Sequence, residues 1–202
     1  MINKQNIVEN EISKEEKIFF DNYWEKYKKI LFDSRDDKKL LQIKNLFLKI
    51  SSQGGKVIFV GNGASASLAS HAATDLTKQA HIKAIAFNDH NLITALSNDC
   101  GYERWVEKAL SYYASDKDLL VLISASGESP NLLKAAEFAK NNFITSLSLT
   151  GSCQTNKLRN LTDYSLWVNC KSYNIVESIH TIWITLIIDL IVGKSEYSVN
   201  LY

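Results

Sequence analysis

From the amino end, apolar residues first recur at helical spacing. Ile18, Phe19, Tyr23, Tyr27, Ile30 and Leu31 form one run, Leu40, Ile43, Leu46, Phe47 and Ile50 a second, and charges fill most positions between them. Residues 10–50 are therefore expected to be helical. The aromatic stripe of the first run suits a helix packed on the domain and a contact between subunits equally well. After Gly54-Gly55 the period changes. Residues 56–60, KVIFV, make a short β-branched run ending in a glycine turn, as a strand buried in a parallel sheet would. Residues 82–87, 119–123, 144–149 and 164–168 read the same way, with helical stretches at 65–79, 102–115, 130–141 and 157–161 between them. This alternation predicts an α/β fold, a doubly wound parallel sheet covered on both faces by right-handed crossovers. Residues 175–192 form the closing helix. That segment is strongly apolar, but Glu177, His180 and Asp189 would be costly in hydrocarbon, so a buried helix is expected and no membrane partner.

Composition narrows the class. Of 202 residues, 46% are apolar and 22% charged, which excludes a disordered chain. Lysine plus arginine number 23 against 22 acids, and a net charge of +1 argues against a nucleic-acid partner. Cys100, Cys153 and Cys170 are far apart and never in a CxxC pair, so neither a disulfide framework nor a zinc knuckle is expected. Residues 1–16 carry no apolar leader, and a reduced, cytoplasmic chain follows. The single proline, Pro130, sits in a serine-rich loop rather than a linker. Residues 1–202 are accordingly read as one domain, with N-terminal helices over 1–52 and an α/β core over 53–202.

In such sheets ligands bind beyond the carboxyl ends of the strands. The first strand runs into GNGASAS (61–67), whose small residues let backbone amides face an anion, with Ser65 adding a hydroxyl near the helix start. The same turn could serve only close helix packing. The third strand runs into SASGESPN (124–131), where Ser124, Ser126 and Ser129 can bind phosphate oxygens, or where Ser129 simply caps the next helix. Neither loop contains lysine or arginine, which suits a single phosphate better than a triphosphate and implies no nucleotide cofactor. His71 and Asp75 share a helix face, as do Glu177 and His180, while Asn98 and Asp99 precede a tight turn. Each pair serves either as a structural hydrogen bond or, where the helices converge, as an acid/base or metal site.

GNGASASLASHAATDL, LITALSNDCGYERW, SASGESPNLLKAAEFAK, SLTG and ESIHTIW resemble, in order and spacing, the phosphoheptose isomerases, which are SIS-domain (sugar isomerase) proteins. The resemblance covers nearly the whole chain. It implies a five-stranded SIS-type sheet with an N-terminal helical extension, and a homotetramer with active sites between subunits. It also implies conversion of sedoheptulose 7-phosphate to heptose 7-phosphate for surface-polysaccharide heptose synthesis. Asn62, Gly63, Ala64, Ser65, Ser124, Ala125, Ser126 and Ser129 would then hold the sugar phosphate, and Asp99 the sugar hydroxyls. His71, Asp75 and Glu177 would be candidate ligands of a zinc ion, with Asp75 moving the proton and His180 the candidate second partner. The family pattern has glutamate at position 75, arginine at 79, glutamine at 177 and histidine at 185. Here these are Asp75, Gln79, Glu177 and Thr185. Threonine is no general acid near neutral pH, and His180 lies about 140° around the helix from position 185. An isomerase is the leading expectation. A non-catalytic tetrameric scaffold, like the SIS branch that associates with the bacterial replication initiator, is the alternative, and a sugar-phosphate sensor in a regulator ranks last.

Overall fold

In the computed structural model, which describes residues 12–196, β1 (Val57–Gly61), β2 (Ala84–Ala86), β3 (Leu119–Ser124), β4 (Thr145–Thr150) and β5 (Tyr164–Trp167) form one parallel sheet. The strand order is β2-β1-β3-β4-β5. Expectations for residues 1–11, the missing leader and the first residues of the helical extension, lie outside the described residues. The helices are α1 (Lys14–Asp33), α2 (Asp37–Ser52), α3 (Ala64–Lys78), α4 (His90–Cys100), α5 (Trp105–Tyr113), α6 (Pro130–Asn141), α7 (Lys157–Leu161) and α8 (Tyr173–Val192).

Successive side chains of a strand point to opposite faces, and here both faces are covered. Val57, Phe59, Leu119, Val121 and Ile123 join a core with α2, α3 and α8. Ile58, Val60, Leu120 and Leu122 join a second core with α5 and α6. That is why β1 and β3 read as unbroken apolar runs rather than alternating ones. Both strands are buried along their whole length. Asp118 pins their amino-terminal edge. It is 2% exposed and accepts from the Lys56 amide (2.9 Å), the Lys56 ammonium (2.6 Å) and the Ser115 amide (2.8 Å). Desolvation alone would raise its carboxyl, but the bonds from Lys56 and Ser115 outweigh it and hold it below the usual carboxylate range.

The structure corrects the sequence reading in two elements. The helical run over 10–50 breaks at Ser34, which ends α1, and Asp36 starts α2 by accepting from the Lys39 amide at 3.0 Å. Residues 90–100 form a helix that the sequence reading missed. Asp89 caps it through the Leu92 amide, and it buries no residue fully, so its apolar pattern is weak. Of the two readings of the aromatic stripe, packing on the domain holds for its C-terminal half. Tyr27, Ile30 and Leu31 pack on the first core, while Phe19 and Trp24 stay 65% and 64% exposed. By length and hydropathy α8 could cross a membrane, yet Ile175, Ile179, Trp183, Ile184 and Ile187 are buried in the core, as expected.

Candidate functional site

Chain order reverses at the middle of the sheet, since β1 has β2 on one side and β3 on the other. The crevice beyond the carboxyl ends of β1 and β3 is thus the switch point where α/β sheets bind ligands. Gly61 pairs with Ile123, so the two following loops start level with one another.

The first elbow is Asn62–Gly63. A Cβ on Gly61 would stand 2.6 Å from the Ser65 backbone, so only glycine lets α3 start this close to the strand. Gly63 adopts φ 57° and ψ −125°, a conformation that side chains oppose. No side chain caps α3, so although the Ser65 and Ala66 amides already donate to the carbonyls of Asn62 and Gly63, the positive dipole end carries no side-chain oxygen of its own and favours an anion. Ser65 lies one residue inside the helix and is 5% exposed.

The second elbow is built round Ser124. Its hydroxyl lies 3.4 Å from that of Ser126 and 3.3 Å from that of Ser129, and the Gly127 amide donates to it at 3.1 Å. Ser129 occupies the cap position of α6 but makes no cap bond, so the helix-capping reading fails. Three hydroxyls therefore gather beside a second uncapped helix end. Glu128 ties this elbow to α7 by accepting from the Lys157 amide (3.0 Å) and ammonium (2.9 Å), which holds its carboxyl below the usual range. The two elbows are also clamped to each other. The Asn62 amide donates to Asn131 Oδ1 and the Asn131 amide to Asn62 Oδ1, both at 3.0 Å, and the Tyr102 hydroxyl adds a bond to Asn62 Oδ1 at 3.1 Å.

Beside the first elbow, α3 and α8 enclose a cavity of about 420 Å³ whose walls include Ser65, His71, Ile123, Glu177 and His180. His71 Nε2 stands 2.9 Å from Asp75 Oδ2, so the i, i+4 spacing is realised as a direct pair. His71 reaches the cavity, whereas Asp75 sits one turn farther along α3 and is not part of the wall. Glu177 faces the cavity from α8, and its carboxylate makes no hydrogen bond or ion pair among the described residues. His180 is fully buried, with Nε2 3.2 Å from the Thr150 carbonyl. Burial pushes its imidazole down to about 4, so it is neutral near pH 7. The Thr185 hydroxyl is occupied by its own helix, donating to the carbonyls of Thr181 and Ile182.

Asn62, Gly63, Ala64, Ser65, Ser124, Ala125, Ser126 and Ser129 thus lie on or beside the two elbows. Asp99 does not reach the cavity. It is exposed near the end of α4, where its carboxylate accepts from the Asn98 amide at 3.2 Å. The candidate zinc ligands are not assembled either, since among the described residues no three His, Cys, Asp or Glu groups stand close enough to share an ion. The near atoms of His71 and Asp75 are taken up by one another, and Glu177 lies on another helix. These donors do not fit a resident zinc within one chain.

The SIS domain family matches residues 22–151. A phosphoheptose isomerase from Helicobacter pylori strain P12 is 34% identical over 158 residues, which is 75% of this chain and 82% of the relative. The chain belongs to the phosphoheptose isomerase family of SIS-domain proteins. A second phosphoheptose isomerase, from Fusobacterium nucleatum, is 29% identical over 171 residues, 82% of this chain and 88% of its own. The solved structure of a phosphoheptose isomerase from Francisella tularensis superposes with a TM-score of 0.82 at 26% identity, covering 90% of this chain and 100% of that one. Within the phosphoheptose isomerase family this chain is a divergent member.

Sequence reasoning missed Asn131, Tyr102 and Thr150. Asn131 does stand in the serine motif, but its partner is 69 residues away. In the sequence Asn131 is only an asparagine after Pro130; its burial, and with it the need of its amide for partners, appears in the structure alone.

Proposed function

We propose that the protein is a phosphosugar isomerase that converts sedoheptulose 7-phosphate to heptose 7-phosphate, an aldose–ketose interconversion within one molecule that supplies heptose for surface polysaccharide. The observation that carries this reading is the pair of facing elbows. Two helix ends without side-chain caps, one with Ser65 and the other with the clustered hydroxyls of Ser124, Ser126 and Ser129, stand on neighbouring loops tied together by Asn62 and Asn131. Neither loop contributes a lysine or arginine, so amide dipoles and hydroxyls hold a single phosphoryl group there.

Anchored in that crevice, the open-chain sugar extends into the cavity between α3 and α8. The His71–Asp75 pair is the base that moves the proton between C1 and C2 through an enediol. His71 reaches the cavity, and Asp75 orients it and balances the imidazolium as it forms. Asp99 contacts the sugar hydroxyls in the assembled enzyme. No step is assigned to zinc. The protein acts as a homotetramer, a reading supported by α1, which fully buries none of its residues and leaves Phe19 and Trp24 exposed. A cytoplasmic setting is in keeping with the free thiols of Cys100, Cys153 and Cys170.

One observation favours a second reading, a non-catalytic phosphosugar-binding scaffold. The hydroxyl of Thr185 is bound to its own helix and offers no acid to a substrate. Turnover separates the two. Purified protein mixed with sedoheptulose 7-phosphate, followed by NMR, is expected to form the aldose, and Asp75→Asn to slow it by about 10²- to 10⁴-fold. Tight phosphosugar binding without turnover on this or other ketose phosphates would establish the scaffold instead.

A further inference from the structure

We infer that Ser67 on α3, with Ser178 and Thr181 on α8, reads the hydroxyls between the phosphoryl group and the reacting carbons, and so selects long open-chain sugar phosphates over short ones. The inference rests on the isomerase reading of the site and concerns the part of the substrate that does not react.

On that reading the two ends of the substrate are a fixed distance apart. The phosphoryl group sits at the amino end of α3 beside Ser65, and the carbons that exchange a proton sit beside His71, six residues farther along the same helix. At a rise of about 1.5 Å per residue that separation is about 9 Å. An extended chain advances about 1.2 Å per bond. Seven bonds join phosphorus to C2 of a ketoheptose 7-phosphate and span about 8 Å, whereas the five bonds of a ketopentose 5-phosphate span about 6 Å. The longer sugar matches the separation, and its middle carbons pass between α3 and α8.

Three hydroxyls line that stretch of the cavity. Ser67 precedes His71 by four residues, so the two share a face of α3, and its hydroxyl has no partner among the described residues. On α8, Ser178 Oγ donates to the Asn174 carbonyl at 2.8 Å and Thr181 Oγ1 to the Glu177 carbonyl at 2.9 Å. Their protons are committed to their own helix, while their lone pairs remain for a donor. A sugar hydroxyl both donates and accepts, so it can donate to the α8 oxygens and accept from Ser67. A site that hydrogen-bonds a substrate hydroxyl discriminates against a ligand that lacks it. Ser67 and Thr181 are exposed, so replacing them leaves both cores intact.

Reduced sugar phosphates test this, because a heptitol 7-phosphate and a pentitol 5-phosphate stay open-chain and cannot isomerise. Each is titrated into the full-length protein by calorimetry, with inorganic phosphate alongside, and aldose formation from sedoheptulose 7-phosphate is followed separately by NMR. The wild type is expected to bind the heptitol at least about tenfold more tightly than the pentitol. Combining Ser67→Ala with Thr181→Val should reduce that preference to about threefold or less, while inorganic phosphate stays within about twofold of wild type. Thr181→Val alone should lower the preference about threefold, and Thr181→Ser, which keeps the hydroxyl, should retain it. An unchanged preference in the double variant overturns the inference. So does an equal fall in heptitol, pentitol and inorganic phosphate affinity, since these residues would then support only the phosphate site. A wild type that isomerises sedoheptulose 7-phosphate but binds both polyols equally overturns this inference alone. A wild type that shows the preference but forms no aldose overturns the isomerase reading and leaves the selection by these hydroxyls standing.

Discussion

His180 Nε2 lies 3.2 Å from the carbonyl oxygen of Thr150, and that contact determines how the imidazole is used. A carbonyl only accepts, so Nε2 carries the proton and Nδ1 is left as a buried lone pair with no partner among the described residues. The contact joins α8 to the end of β4 and keeps the α8 wall of the cavity in register with the sheet.

The buried imidazole makes stability fall in mild acid. Burial depresses His180 from 6.5 to about 4, so the unfolded chain binds the extra proton between those values. Stability from this group is complete above about pH 6.5 and is lost as pH falls towards 4, by up to about 3 kcal/mol. Asp118, held below its usual range, loses its contribution only at lower pH, as its own carboxyl protonates. Urea denaturation at half-unit pH steps should show the slope, and His180→Asn should flatten it between pH 6.5 and 4.

Ser129 and Asp36 occupy the same position on their helices but only Asp36 makes the cap bond. Asp36→Ala should cost about 1 kcal/mol in urea unfolding, while Ser129→Ala should cost only a few tenths. For phosphate binding the order reverses. Ser129→Ala is expected to weaken inorganic phosphate about tenfold by calorimetry, and Asp36→Ala to leave it unchanged.

The amide clamp should set affinity more than chemistry. Asn131→Ala removes two bonds to Asn62 and frees the elbows to drift apart. KM for the phosphosugar is expected to rise about tenfold, in line with roughly 1–2 kcal/mol of lost positioning, with a smaller change in kcat. A fall in kcat with KM unchanged would place the clamp at the reacting carbons instead.

The exposed face of α1 should govern assembly. Trp24→Glu sets a charge into the aromatic stripe that Phe19 and Tyr23 continue. Light scattering is expected to show a smaller assembly, while circular dichroism keeps the α/β signal, because α1 contributes no fully buried residue to either core.

The fold was legible where burial is total. The runs around Val57–Val60 and Leu119–Ile123 are apolar because each residue meets one core or the other, and the strands fall within a residue or two of expectation. The helix over His90–Cys100 was not legible, since it lies against one core by Leu92, Ile93 and Leu96 alone and ends in Ser-Asn-Asp-Cys. In the site, the glycine and serine elbows announced themselves through small residues at strand ends. The clamp did not, because Asn62, Tyr102 and Asn131 meet across 40 and 69 residues of chain and form no local pattern. Asp99 and the candidate zinc ligands His71, Asp75 and Glu177 show the converse, a motif whose side chains the described residues of one chain do not bring together.

The most direct test is a crystal of the full-length protein grown with sedoheptulose 7-phosphate. The phosphoryl group should lie between the α3 and α6 amino ends, within hydrogen-bond reach of Ser65, Ser124 and Ser129, with C1 and C2 in the cavity beside His71 and Glu177. A phosphoryl group bound elsewhere, or an empty crevice at saturating sugar phosphate, would contradict the account.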